Sequence, residues 1–162
     1  MTGFAPERDG ERAGFLFLTG RLDQSGSLSH ADLLTLRSAD MRVGSHGVDH
    51  VDWSGLSAQA LHEEITRSRD VLTELTGAPV THAAVPFGRW SGRVLKALHA
   101  AGYDRIWTSD GGTYRPGHVV RPRTSLRGDM TAQTFDRIIA GAMSPTARLR
   151  RTLGMARKRL AR

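Results

Sequence analysis

Residues 41–50 read Met41-Arg42-Val43-Gly44-Ser45-His46-Gly47-Val48-Asp49-His50. Met41-Arg42-Val43 is a short strand that ends at Gly44, and from Gly44 to Gly55 neither helical nor strand periodicity survives. That aperiodic stretch holds His46, His50, Asp49, Asp52 and Trp53. A strand that opens into a loop of polar, metal-ligating residue types is the arrangement of α/β proteins, where the loops at the carboxyl ends of strands carry the chemistry. Two imidazoles four residues apart reach one metal ion when a tight loop or one helical turn brings them to the same side. The pair still needs a third ligand, normally a carboxylate or another histidine. A bare His-x3-His match is a weak signal beside the competing reading of two surface histidines, and the strand in front of it and the Gly44-Ser45 lead-in strengthen it.

Working outward, the same alternation recurs. Upstream, Ala13-Gly14-Phe15-Leu16-Phe17-Leu18 is a buried strand followed by a polar loop, and Ser29 caps a helix to about Ala39 with Leu33, Leu34 and Leu36 inward. Downstream, Ser57 opens the clearest helix, with Leu61, Ile65, Val71, Leu72 and Leu75 as its inner stripe, Glu63, Glu64, Arg67 and Arg69 on its wet side, and Gly77 as its stop. Then follow strand His82-Ala83-Ala84-Val85, turn Pro86-Phe87-Gly88, helix Gly92 to Ala101, strand Asp104-Arg105-Ile106-Trp107, turn Ser109-Asp110-Gly111-Gly112, and a helix from Thr131 to about Met143. Strand, loop and helix in alternation predict a parallel α/β domain over residues 1–144.

Composition fits one soluble domain: 162 residues, 39% hydrophobic and 24% charged. The absence of cysteine excludes disulfides, cysteine-based zinc ribbons and thiol nucleophiles. The first ten residues, MTGFAPERDG, lack the apolar core of a signal peptide, so the expected location is cytoplasmic. The net charge of +7 is localised. Residues 145–162 carry Arg148, Arg150, Arg151, Arg157, Lys158, Arg159 and Arg162 and no acid, which leaves 16 basic and 16 acidic residues in 1–144. A charge confined to a tail does not point to nucleic acid as a spread-out basic face would. Leu149, Leu153, Met155 and Leu160 interleave with these charges as in a basic amphipathic helix that touches a membrane surface or an acidic partner. A solvated, partly frayed extension is the preferred expectation, since Gly154 interrupts the helix.

Other candidates lie at strand ends. The Pro86-Phe87-Gly88 turn is rigid and suited to aiming a backbone N–H into a cleft, although an ordinary turn with a packed Phe is the local alternative. Asp110 sits on a permissive turn. Trp53 and Trp90 follow the two main motifs and could stack on a sugar, packing beside the cleft being the safer reading. His30, His62 and His99 have no partners at metal spacing. Nothing local supports His118 as an acid, and Arg121 and Arg123 read as loop charges or as contacts to an anionic or sugar substrate.

Together, AGFLFLTGRL, MRVGSHGVDHVDWSGLS, LHEEITRSRDVLTEL, AAVPFGRW, VLKALHAAGYDRIWTSDGG and RPRTSLRGD resemble the polysaccharide deacetylase family, the NodB-homology or carbohydrate esterase 4 group, from about Arg12 to Phe135. The resemblance implies an irregular (β/α) barrel with a divalent metal, zinc being the expected ion. His46 and His50 would be its histidine ligands, the Phe87 backbone N–H an oxyanion donor, and Trp53, Arg89 and Asp110 substrate-site residues. The implied reaction is removal of N-acetyl groups from a carbohydrate. The family's opening Asp-Asp motif, which supplies a base and the third ligand, is missing, and Glu7, Asp9 and Glu11 lack the apolar strand needed to place them. Residues 1–12 correspond instead to the end of the following helix. Ala84 stands near the place of the arginine before the proline turn, with Arg89 as a substitute, and no Leu-x-His motif for a general acid follows. The expected fold is therefore an incomplete barrel with a basic C-terminal tail. Its two exposed sheet edges would invite a homodimer. Its activity would be reduced or lost, the alternative being a degenerate domain that binds a glycan or protein without catalysis.

Overall fold

The computed structural model describes residues 13–161 and the strand Thr2–Gly3. One sheet organises the chain, with strands in the order β1 (Thr2–Gly3), β2 (Gly14–Phe17), β3 (Arg42–Ser45), β4 (His82–Ala84), β5 (Arg105–Thr108) and β6 (Val120–Pro122). From β2 to β6 each strand pairs in parallel with the next. The sheet stays open, with β1 and β6 at its two ends, in agreement with an incomplete barrel. One expectation is corrected here. Thr2–Gly3 is a strand rather than part of a helix end, antiparallel to β2 with Thr2 opposite Leu16 and Gly3 opposite Phe15. The unpaired N–H and C=O row along β2 would otherwise be left without a partner. Glu7, Asp9 and Glu11 lie outside the described residues.

Alternation along the strands divides the apolar residues between two faces. Phe15, Phe17, Val43, Ala83 and Ile106 face a large core shared with the helices α1 (His30–Ser38), α2 (Ala58–Thr76) and α3 (Gly92–Ala100). Leu16, Ala84 and Trp107 form a smaller cluster with Tyr114. The Arg121 guanidinium covers that cluster, 5.4 Å from the Trp107 ring and 4.9 Å from that of Tyr114. Leu61, Ile65, Leu72 and Leu98 are essentially inaccessible, so truncating any one to alanine removes about 2–5 kcal/mol.

The helix boundaries follow the capping residues. Ser29 and Asp32 form a reciprocal capping box at α1. The Ser57 side chain accepts from Ala60 N, and Gly77 ends α2 with φ 63°. In the nine-residue α1 only Leu33 is buried, Leu36 is partly covered, and Leu34 turns outward at 52% exposure. After β6 come α4 (Ala132–Ile139) and α5 (Pro145–Leu160). The basic segment is thus a capped helix docked on the body, not a frayed extension. Met155 packs against the core, and Ala161 O accepts from Gly92 N at 3.2 Å. A Cβ on Gly92 would lie 2.4 Å from Arg159 O, so this glycine is what lets the end of α5 approach. Among the described residues no helix is long and apolar enough to cross a membrane.

Candidate active site

His46 directly follows β3, where it prolongs the sheet register: its N–H donates to Phe17 O at 2.7 Å. The next residues are tied to the segment after β2, with Thr19 N donating to Gly47 O at 3.1 Å and Gly20 N to Val48 O at 3.0 Å. The loop is also held from α2. Glu64 Oε2 accepts from Val48 N at 3.0 Å and from Trp53 Nε1 at 3.3 Å, while Oε1 accepts from Asp49 N at 3.3 Å. Gly47 is required by this packing. Its φ is +91°, and a Cβ would lie 2.6 Å from Glu64 Oε2.

The loop brings the two histidines together. Their ring centroids are 4.8 Å apart at an interplanar angle of 61°. His46 is 8% exposed, and its Nδ1 lies 2.9 Å from Ala84 O at the end of β4. A carbonyl can only accept, so Nδ1 carries the proton and Nε2 is left with its lone pair. Burial pushes the His46 pKa down to about 4, partly opposed by the Ala84 bond and reinforced by the charges of His50 and Arg123. Burial also lowers the His50 pKa, with Arg21 adding to the effect. Both rings are therefore neutral at pH 7, the form in which imidazole ligates metals.

The proline turn closes one side. The Phe87 ring centroid is 4.4 Å from that of His50, and Phe87 holds φ 55°, a left-handed conformation costly for a side chain of this size. The turn's own bonds use the N–H groups of Gly88 and Arg89, to Val85 O and Pro86 O. From α5, Lys158 Nζ donates to Gly88 O at 2.9 Å and to Asp110 Oδ1 at 2.5 Å, and it lies 5.4 Å from the Trp90 ring. Trp90 Nε1 donates to Asp110 Oδ2 at 2.7 Å. Burial alone would raise the Asp110 carboxyl, but the bonds from Lys158 and Trp90 hold it below the usual range. Just past β6, burial lowers the pKa of Arg123, whose Nε and Nη1 have no partner among the described residues.

The sequence profile described as Polysaccharide deacetylase matches residues 10–106, which include β2 to β4, both histidines and the proline turn. The chain belongs to the polysaccharide deacetylase family. A relative, YxkH of Bacillus subtilis (strain 168), is named for the polysaccharide deacetylases and is 24% identical over 98 residues, 60% of this chain and 35% of its own length. Among solved structures, BC0361, a polysaccharide deacetylase from Bacillus cereus, superposes with a TM-score of 0.71 at 22% identity, covering 84% of this chain and 42% of that one. The Streptococcus pyogenes deacetylase PplD, solved in complex with acetate, gives 0.72 at 18% identity, covering 82% and 59%. These likenesses show the fold, and the chain spans less than two thirds of each of these relatives.

Within this deacetylase fold the other candidate residues part company. Trp53 is wholly buried, with no face open to a sugar, and serves the site through its bond to Glu64. Arg89 pairs with Asp52 at 3.0 Å on an exposed surface. Asp110 is only 10% exposed at its side chain and is engaged by Lys158. As donors for a metal, His46 and His50 fit in chemistry and proximity, but no group of three or more His, Cys, Asp or Glu that could hold an ion occurs among the described residues. Two supports escape a reading by sequence. Glu64, placed on the wet side of α2, belongs instead with Leu61, Ile65 and Ser68 on its inner face, and its i+3 spacing from Leu61 was the available signal. Nothing local marks Lys158, which reaches the site from a distant helix.

Proposed function

We propose that this chain carries the two-histidine part of a divalent-metal site in a hydrolase that removes N-acetyl groups from a carbohydrate. The observation that supports this reading is the His46–His50 pair, neutral, adjacent and oriented by Ala84, at the strand ends of a polysaccharide deacetylase fold. A divalent ion held there, with zinc the expected one, would polarise the amide carbonyl and lower the pKa of a water. The chain's own residues supply orientation. Ala84 O fixes the His46 tautomer, and Glu64 holds the loop that carries both rings. The Phe87 N–H, not used by the bonds of Gly88 and Arg89, suits the developing oxyanion. Arg123, a partly buried cation whose charge acts on His46, suits an acetate product. No third ligand accompanies the two histidines among the described residues.

Acetate release from N-acetylated chitooligosaccharides, with and without added zinc, tests this function. Zinc-dependent release that His46→Ala and His50→Ala abolish supports it. Release unaffected by either substitution, or no release at saturating zinc, contradicts it.

A further inference from the structure

Helix α5 presents two opposed faces. Arg151, Gly154, Met155 and Lys158 are its partly covered positions, and all fall on one side at 3.6 residues per turn. That side is the docked one. Arg151 Nη2 donates to Thr113 O at 3.4 Å, Met155 joins the core, and Lys158 bonds to Gly88 and Asp110. The opposite side carries Leu149, Leu153 and Leu160, which are 61%, 61% and 84% exposed. These three leucines lie within about 40° of one another around the helix axis. Arg150 and Arg157 border the stripe on one side, and Arg148 and Arg159 lie on the other beyond Thr152 and Ala156, all four exposed.

We propose that α5 is an interfacial helix that lays this leucine stripe into the surface of an anionic phospholipid bilayer. Charge complementarity selects the occupant. No acidic residue occurs in 145–162, and arginines on both flanks of an apolar stripe can extend to lipid phosphates while the leucines enter the acyl boundary. A nucleic acid would use the arginines but leave three leucines in water. A second copy of the same helix would bring like charges together along both flanks. Because the inner face is already bonded to the body, the helix is preformed and its ordering cost does not fall on the binding step. This membrane surface does not depend on the metal site.

Cosedimentation of the full chain with vesicles tests the proposal. Phosphatidylcholine vesicles containing phosphatidylglycerol should bind it, and pure phosphatidylcholine should not. Replacing Leu149, Leu153 and Leu160 with serine should weaken binding by at least about tenfold. Glutamine at Arg148, Arg150, Arg157 and Arg159 should weaken it by about a hundredfold or more. All seven side chains are exposed, and circular dichroism of each variant checks that the fold is kept. Absence of binding to the anionic vesicles overturns the proposal. So does vesicle binding that ignores the leucine change while a DNA duplex binds equally well, or a dimer in solution that the leucine change dissolves.

Discussion

Lys158, on the last turn of α5, places its ammonium 2.5 Å from Asp110 Oδ1, so the basic C-terminal helix is bonded into the loop that follows β5. The same ammonium holds Gly88 O at the end of the proline turn. Lys158→Met leaves Asp110, 10% exposed, with the Trp90 indole as its donor. Burial then prevails and the Asp110 carboxyl titrates higher. The expected loss is roughly 1–3 kcal/mol at pH 7. A double-mutant cycle with Asp110→Asn should give a coupling energy well above zero. Additive single effects would show that the pair contributes nothing.

Glu64 joins α2 to the histidine loop through three donors. Glu64→Ala leaves the N–H groups of Val48 and Asp49 and the Trp53 indole without their acceptor, which costs about 1–3 kcal/mol. It should also lower zinc affinity about 10–100-fold, the range seen when a support behind a ligand is removed. Glu64→Gln keeps one acceptor oxygen and should lie between the two. Denaturant melts and zinc titration of both variants read these effects separately.

Stability should fall in acid over a defined window. Burial holds His46 and His82 each at a pKa of about 4, against 6.5 for an exposed ring. On acidification the unfolded chain takes up these protons first, so the stabilisation is complete above about pH 6.5 and is lost progressively down to about 4. Each histidine should contribute roughly 2–3 kcal/mol to that loss. Urea midpoints followed across the window should fall with pH, and His46→Gln should flatten the slope. A midpoint independent of pH from 6.5 to 4 contradicts the buried, neutral assignment.

Much of the architecture was legible because it rests on local chemistry. Ser29, Ser57 and Gly77 mark helix ends by their own capping geometry, and the apolar run at 14–17 and the Ile106-Trp107 pair between turn residues declare their strands. The pairing of His46 with His50 was legible for the same reason, being set by four residues of one loop. What escaped depends on partners distant in sequence. Leu34 has an apolar side chain that the described residues leave half exposed, and Trp53 is drawn inward by Glu64. The basic segment reads as a solvated tail until Asp110, 48 residues before Lys158, is brought against it. Charge in a sequence does not reveal which cation will find a buried carboxylate.

The central claim is that His46 and His50 act as a pair on one metal ion. Zinc titration of the purified chain at pH 7 tests it most directly, with His46→Ala and His50→Ala measured in parallel. The account predicts one zinc per chain, bound on the order of a hundredfold more weakly in either variant. Zinc binding that survives both substitutions, or no zinc binding by the unaltered chain, would contradict it.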